Sequence, residues 1–139
     1  MQRIVIDTNI VVSSLLSQKG IPAKIINDLV LFEKVIICVS KEVLDEYEEV
    51  LSRDKFKAKI DFSVNAEILI DRIKQLSEKH NPQLMFDLIS DKDDNMFLDL
   101  AFQCKADFII TGNTNDFTFS KFLKTKIVTP AIYWDNFKP

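Results

Sequence analysis

Short apolar runs alternate with amphipathic stretches along the chain, and this pattern predicts strands separated by helices. The β-branched run at residues 3–6 reads as a strand, and residues 7–9 are of types that favour turns and helix starts. The run at 35–39 is continuously apolar, as in a strand covered on both faces, and Ser40 follows as the cap of an acidic helix. Two more strands are predicted, at residues 107–111 and 127–129.

Helical patterns fill the segments between these strands. We expect Gly20 to close the first helix in the left-handed conformation and Pro22 to stand in the first turn of the next helix. Ser63 is predicted to cap a later helix with apolar residues near helical spacing, namely Val64, Ile68, Ile73 and Leu76. The clearest amphipathic helix follows three aspartates and carries Phe97, Leu100, Ala101 and Cys104 on one face.

Strands that alternate with helices predict a parallel sheet, because parallel neighbours require crossover connections. The fold class expected is therefore α/β, with a central parallel sheet of about four or five short strands flanked by helices. The length of 139 residues and the hydrophobic content of 47% suit a single domain over residues 1–139. No apolar run is long enough to cross a membrane and no signal peptide is evident, so we expect a cytoplasmic protein without a membrane partner.

Composition excludes several kinds of chemistry. The two glycines cannot supply a glycine-rich phosphate loop, and the single histidine, His80, at the polar end of a helical stretch, leaves no histidine pair and no Ser-His-Asp triad. Cys38 and Cys104 lie in apolar stretches with no second Cys or His at metal-ligand spacing. We interpret them as buried thiols rather than as a zinc site or a disulfide.

Acidic and polar residues follow the predicted strands, at the edge where ligands bind in open α/β sheets. Glu46, two turns into its helix, could reach the same edge. Converging carboxylates repel one another unless a cation is bound, and oxygen ligands suit Mg²⁺ or Mn²⁺. A metal-generated hydroxide attacking a phosphodiester is the chemistry that fits, which predicts a nuclease. The other residues at this edge are Asp7, Asn9, Asp91, Asp93, Asp94, Thr111, Asn113 and Asp116.

Five segments stand in a fixed order along nearly the whole chain. They are Ile4-Val-Ile-Asp7-Thr-Asn9, Ser40 with Leu44-Asp-Glu-Tyr-Glu-Glu-Val-Leu51, Asp91-Lys-Asp-Asp94-Asn-Met-Phe-Leu-Asp-Leu-Ala101, Ala106-Asp-Phe-Ile-Ile-Thr-Gly-Asn113 with Asp116-Phe117, and Thr129-Pro130. Each segment alone is a weak signal, but in this order the sequence resembles the PIN-domain ribonucleases. Members of that family occur as toxin components of bacterial and archaeal toxin–antitoxin pairs.

The resemblance implies an RNA substrate and a site built on Asp7, Glu46 and Asp94, with Thr8 or Asn9 holding Asp7 and Asp91 in support. Many family members have a fourth acid where this chain has Asn113, and Asp116 is the nearest carboxylate. Either Asp116 reaches the metal or three acids suffice. The resemblance further implies an antitoxin protein partner and a homodimer.

Simpler interpretations exist for the same residues. Residues 7–9 could form an ordinary Asx turn that caps a helix, and Glu46 could lie on a solvated helix face. Asn113 favours a catalytically silent PIN-like module that binds protein or RNA, and an aspartyl-phosphate enzyme is a third alternative. The basic stretch from Arg53 to Lys59 reads as a solvated turn before it reads as an RNA track, and Lys121, Lys124 and Lys126 are other basic candidates.

Overall fold

The fold was analysed in a computed structural model that describes residues 1–89, 91–112 and 120–139, without the side chain of Lys92. Within these residues one sheet has six strands in the order β3-β2-β1-β4-β6-β5. All neighbouring pairs are parallel except β5 with β6. The strands are β1 (Arg3–Ile6), β2 (Ile36–Val39), β3 (Glu78–Lys79), β4 (Phe108–Ile110), β5 (Lys121–Phe122) and β6 (Thr125–Val128). The predicted α/β class with a central, mostly parallel sheet is confirmed.

Helices flank this sheet. α5 packs against β1, β2 and β4, whereas α1, α3 and α4 contact one another. The helices are α1 (Thr8–Leu16), α2 (Ile21–Lys24, continued by a π-helical turn at Ile25–Val30), α3 (Lys41–Leu51), α4 (Phe62–Leu76), α5 (Lys92–Cys104) and α6 (Pro130–Ile132, continued by a π-helical turn at Tyr133–Phe137). A short 3-10 turn at Asp54–Phe56 links α3 to α4. No helix within the described ranges combines the length and the apolar character needed to cross a membrane.

The central strands are apolar because both of their faces are covered. Ile4, Val5 and Ile6 are completely buried, and so are Ile109 and Ile110 of the neighbouring β4. Continuous apolar runs of this kind identify interior strands of a parallel sheet, which is why β1, β2 and β4 were predictable. Each run ends at the same edge of the sheet, so the residues that follow β1, β2 and β4 are brought together there.

The predicted signals at the helix ends are confirmed at Ser40 and wrong at Gly20 and Ser63. Ser40 caps α3, its hydroxyl accepting a hydrogen bond from the Val43 N–H at 3.1 Å. Gly20 does not close α1, because the helix ends at Leu16 and Gly20 has an extended conformation with φ −77° at the start of α2. α4 begins at Phe62, so Ser63 lies inside the helix and does not cap it. Phe62 is buried and stacks on Phe56, with ring centroids 4.6 Å apart.

α4 also turns a different face inward from the predicted one. Ile73 is buried as predicted, but Val64 and Ile68 are more than half exposed. The buried face comprises Phe62, Ala66, Leu69, Ile70 and Ile73. Exposed apolar residues at four-residue spacing match the helical period as well as buried ones do, so periodicity alone could not distinguish them.

Two strands escaped prediction because each has only two residues. β3 follows α4 directly and pairs with β2, and β5 forms a small antiparallel pair with β6. His80 therefore comes after an edge strand rather than at the end of a helix, and its N–H donates to the carbonyl of Val39 at 2.9 Å.

Candidate active site

Asp7 stands at the carboxyl end of β1 and is only 3% exposed. Its backbone begins α1, but its side chain makes no capping hydrogen bond to that helix. Instead, the hydroxyl of Thr111, which follows β4, donates to Oδ2 of Asp7 at 2.6 Å. The interpretation of residues 7–9 as an ordinary capping turn is therefore wrong, because this carboxylate is directed across the strand ends.

Glu46 is hydrogen-bonded to Thr8, the residue that follows Asp7. The hydroxyl of Thr8 donates to Oε2 of Glu46 at 2.7 Å, joining the start of α1 to the second turn of α3. Thr8 is buried and Glu46 is half-buried, so Glu46 is not simply part of a solvated helix face. The sequence suggested that Thr8 or Asn9 holds Asp7. In the structure Thr8 donates to Glu46, Thr111 donates to Asp7, and Asn9 is exposed.

Tyr47 links α3, the helix that carries Glu46, to the last residue of β1. Its buried hydroxyl donates to the carbonyl of Ile6, directly before Asp7, at 2.5 Å. Burial, followed by the charges of Asp7 and Glu46, raises the pKa of Tyr47 well above its usual range. Tyr47 therefore remains a neutral donor beside two acidic groups that both act on it. Sequence analysis did not identify this residue.

Asp94 lies in the first turn of α5 and is half-buried. The end of α5 leads through residues 105–107 into β4, where the Asp107 N–H donates to the carbonyl of Arg3 at the start of β1. The last turn of α5 therefore lies toward the amino edge of the sheet, and its first turn toward the carboxyl edge that carries Asp7. Carboxylates in a first helical turn are also favoured by the helix dipole.

Asp91 serves a different purpose from Asp94. It is the cap of α5, its side chain accepting a hydrogen bond from the Asp93 N–H at 3.0 Å. Buried Asn95 accepts from the N–H groups of Leu88 and Ile89, both at 3.0 Å, and anchors the preceding segment on the helix. These contacts fix the start of α5 and hence the position of Asp94. Asn95 was not identified from the sequence, which signals only its helical position.

The predicted fourth position lies outside the described residues, because Asn113 and Asp116 both fall within 113–119. Of the basic stretch, Arg53 is paired with Glu49 at 2.9 Å and Lys57 with Asp54 at 2.8 Å. These local ion pairs favour the interpretation of a solvated turn.

Comparison with known proteins agrees with this architecture. A family model described as PIN domain matches residues 3–115, which include every described strand end of the candidate site. The chain belongs to the PIN domain family. PIN domains are generally nucleases and generally use divalent metal ions. An uncharacterized protein of Methanocaldococcus jannaschii is 30% identical to this chain, over an alignment covering 98% of the chain and 92% of that protein.

The donor groups of this PIN domain suit such an ion. Asp7 and Glu46 offer carboxylate oxygens, the ligands that Mg²⁺ and Mn²⁺ prefer, and each carboxylate is oriented by a neutral hydroxyl. A hydroxyl fixes a carboxylate without neutralising its charge, so the attraction for a cation is retained. The donor chemistry therefore suits a divalent metal at the carboxyl edge of β1.

Proposed function

We propose that this protein is a divalent-metal-dependent endoribonuclease whose site is built on Asp7, Glu46 and Asp94. The observation that carries the proposal is the buried Asp7 carboxylate, which accepts a hydrogen bond from Thr111 instead of capping its own helix, while the next residue, Thr8, donates to Glu46. Nothing in the capping of α1 or α3 requires that arrangement, since Ser40 alone caps α3.

In the proposed mechanism, Asp7, Glu46 and Asp94 would hold the ion, which when bound would activate water for attack and offset negative charge on the phosphate. Thr111 and Thr8 keep the two carboxylates oriented throughout. Burial of Asp7 limits competing water and strengthens its electrostatic interaction with a cation. Asp116 is proposed from the sequence as a further acidic ligand, with Asn113 as its neutral alternative.

The test is RNA cleavage by the purified chain with Mg²⁺, Mn²⁺ or EDTA, on structured and unstructured RNA. Asp7→Asn and Glu46→Gln should abolish metal-dependent cleavage. Asp28→Asn and Glu42→Gln, exposed acids on α2 and α3, are matched controls and should retain it. Equal cleavage by wild type and Asp7→Asn would reveal a contaminant and contradict the proposal.

Binding without cleavage would instead support the silent module that Asn113 favours. RNA affinity measured by anisotropy in EDTA distinguishes these outcomes. A silent module binds RNA or protein with unchanged affinity after Asp7→Asn, whereas the nuclease requires the ion for turnover. Asp116→Asn, assayed at several Mn²⁺ concentrations, then tests whether this residue contributes to metal affinity.

We further propose that the chain acts as the toxin of a toxin–antitoxin pair and forms a homodimer. Exposed apolar residues on α4 and just before it support the presence of an interface: Val64 and Ile68 of the helix are 58% and 57% exposed, and Ile60, before it, is 92% exposed. Light scattering at micromolar concentration should give twice the mass of one chain, and Ile68→Glu should give the mass of a single chain. A wild-type monomer would contradict the homodimer.

A further inference from the structure

A second group of potential metal ligands lies on β2 and β3, apart from the carboxylate site. The Cys38 thiol, a carboxylate oxygen of Glu78 and an imidazole nitrogen of His80 lie within 4.8 Å of one another. Cys38 is paired with Glu78 across the two strands, and His80 stands two residues after Glu78, so all three share one face of the sheet. Cys38 and His80, which lie too far apart in sequence to form a short metal-binding motif, therefore come together in the fold.

The donor types indicate which ion would fit. Thiolate, imidazole and carboxylate are the three protein ligand classes of zinc, at bond lengths of about 2.0–2.3 Å. Tetrahedral ligands at these lengths stand roughly 3.5 Å apart, so the three donor atoms, which lie at most 4.8 Å apart, must adjust their separations toward this value when an ion binds. Mg²⁺ prefers oxygen ligands throughout and is disfavoured by a thiolate.

We propose that Cys38, Glu78 and His80 bind one Zn²⁺ ion, with a fourth position open to water. Three protein ligands and an open position form a recognised zinc arrangement. Asp7 lies at the end of β1, one strand beyond Cys38 and two beyond His80. The zinc site and the carboxylate site therefore belong to different strands and use different donor chemistry.

Glu78 is already ionised and oriented in the metal-free protein. Arg3 donates from Nε to Oε1 at 2.9 Å and from Nη2 to Oε2 at 3.3 Å, and His80 Nε2 lies 2.6 Å from Oε1. Hydrogen bonds from Arg3 and then from His80 hold the pKa of Glu78 below its usual range. On metal binding, His80 Nε2 would leave Oε1 and bind the ion as neutral imidazole, while Arg3 competes for the carboxylate.

Charge and protons balance in this exchange. A Cys38 thiolate and a Glu78 carboxylate together neutralise Zn²⁺, and the thiol proton passes to solvent. The adjacent Cys104 thiol, together with burial, holds the pKa of Cys38 above its usual range, so the metal-free thiol is protonated at neutral pH.

The position of the cluster allows an ion to reach it from solvent and determines which elements a bound ion would join. The side chains of Glu78 and His80 remain 32% and 21% exposed, and a surface cleft of about 450 Å³ reaches His80. A bound ion would join the two-residue strand β3 to β2, which leads through Ser40 into α3. Zinc would thus stabilise the edge of the sheet beside the helix that carries Glu46.

The test uses the full chain after treatment with a chelator. Titration with Zn²⁺ should show one equivalent bound with an increase in thermal stability. Co²⁺ as a spectroscopic substitute should give thiolate-to-metal charge-transfer absorption and the strong visible bands of a tetrahedral site. Cys38→Ser should remove the charge-transfer absorption, and His80→Gln, at a partly exposed position, should weaken Zn²⁺ binding at least tenfold.

Two matched controls distinguish this site from its neighbours. Cys104→Ser replaces the other buried thiol and should keep the charge-transfer absorption, and Asp7→Asn should leave the affinity for Zn²⁺ unchanged. Circular dichroism establishes that each variant is folded. Absence of thiolate absorption in wild type, or its persistence in folded Cys38→Ser, would overturn the proposal. Loss of zinc binding in Asp7→Asn would instead assign the ion to the carboxylate site.

Discussion

Thr8 donates its hydroxyl hydrogen to Oε2 of Glu46 across 2.7 Å, so the residue after Asp7 orients the acid of a different helix. Residues 8 and 46 are thus joined in a partly buried contact at the carboxyl edge of the sheet. One two-residue segment therefore supplies both an acid and the group that positions another acid.

Replacing Thr8 should separate this positioning from packing. Thr8→Val keeps the shape but leaves Oε2 of Glu46 without its donor, and we expect cleavage to decrease at least tenfold, equivalent to about 1.4 kcal/mol. Thr8→Ser retains a hydroxyl and should keep most of the activity. The measurement is the rate of RNA cleavage at saturating Mn²⁺. Equal rates for the Val and Ser variants would show that the hydroxyl is dispensable.

In the Asp7→Asn variant, addition of a divalent metal ion should no longer increase the stability of the fold. In wild type, an ion at 100 times its dissociation constant should stabilise the fold by about 2.7 kcal/mol. The variant should lose this increment, while its stability in EDTA stays equal or rises because repulsion among carboxylates is relieved. Thermal denaturation with and without Mn²⁺ measures both effects. A wild-type increment in the variant would mean that the ion binds elsewhere.

Tyr47→Phe should destabilise the fold without changing its charge. The buried hydroxyl donates to the Ile6 carbonyl, so its removal leaves an acceptor unsatisfied, at a cost of about 1–3 kcal/mol. Tyr133→Phe is the matched control: its hydroxyl donates to the side chain of Gln2, which water can reach, so its cost should be smaller. Urea denaturation of both variants compares the two costs, and the reverse order would contradict the assignment.

Acid should weaken the contribution of Glu78 in a defined direction. Because its pKa is lowered in the folded state, this carboxylate contributes stability above the unfolded pKa of about 4.3. That contribution is lost as pH falls through the lower folded value. Wild type should therefore exceed Glu78→Gln in stability near pH 5, with the difference vanishing toward pH 3. The midpoints of urea denaturation in EDTA measure this difference in stability between wild type and Glu78→Gln. A difference that does not change with pH would show that the charge of Glu78 is not its cause.

Much of the fold was predictable because its signals are local. The apolar runs identified β1, β2 and β4, and capping chemistry identified the start of α3, whereas α5 begins at Lys92, before two of the three aspartates predicted to precede it. β3 and β5 were missed because two residues carry no pattern. Position along the chain also indicated that Asp7 and Thr111 share an edge. It could not reveal that Thr111 binds Asp7 while Thr8 binds Glu46, since side-chain direction depends on packing.

The cluster of Cys38, Glu78 and His80 shows the same limit more sharply. Cys38 and His80, its most distant members in sequence, are 42 residues apart, and only the pairing of β2 with β3 brings them together. Metal-ligand spacing rules apply to ligands on one turn or hairpin, so they exclude short motifs and leave sites across parallel strands undetected. The interpretation of both cysteines as buried, unbridged thiols is confirmed.

The strand order places β1, which precedes the other five strands of the sheet in sequence, between β2 and β4. Asp7 is therefore synthesised 104 residues ahead of Thr111, whose hydroxyl binds it. Until the residue after β4 has been made, the nascent chain contains Asp7 without Thr111 across the strand ends. A product terminated before residue 111 lacks the contact that orients this buried carboxylate.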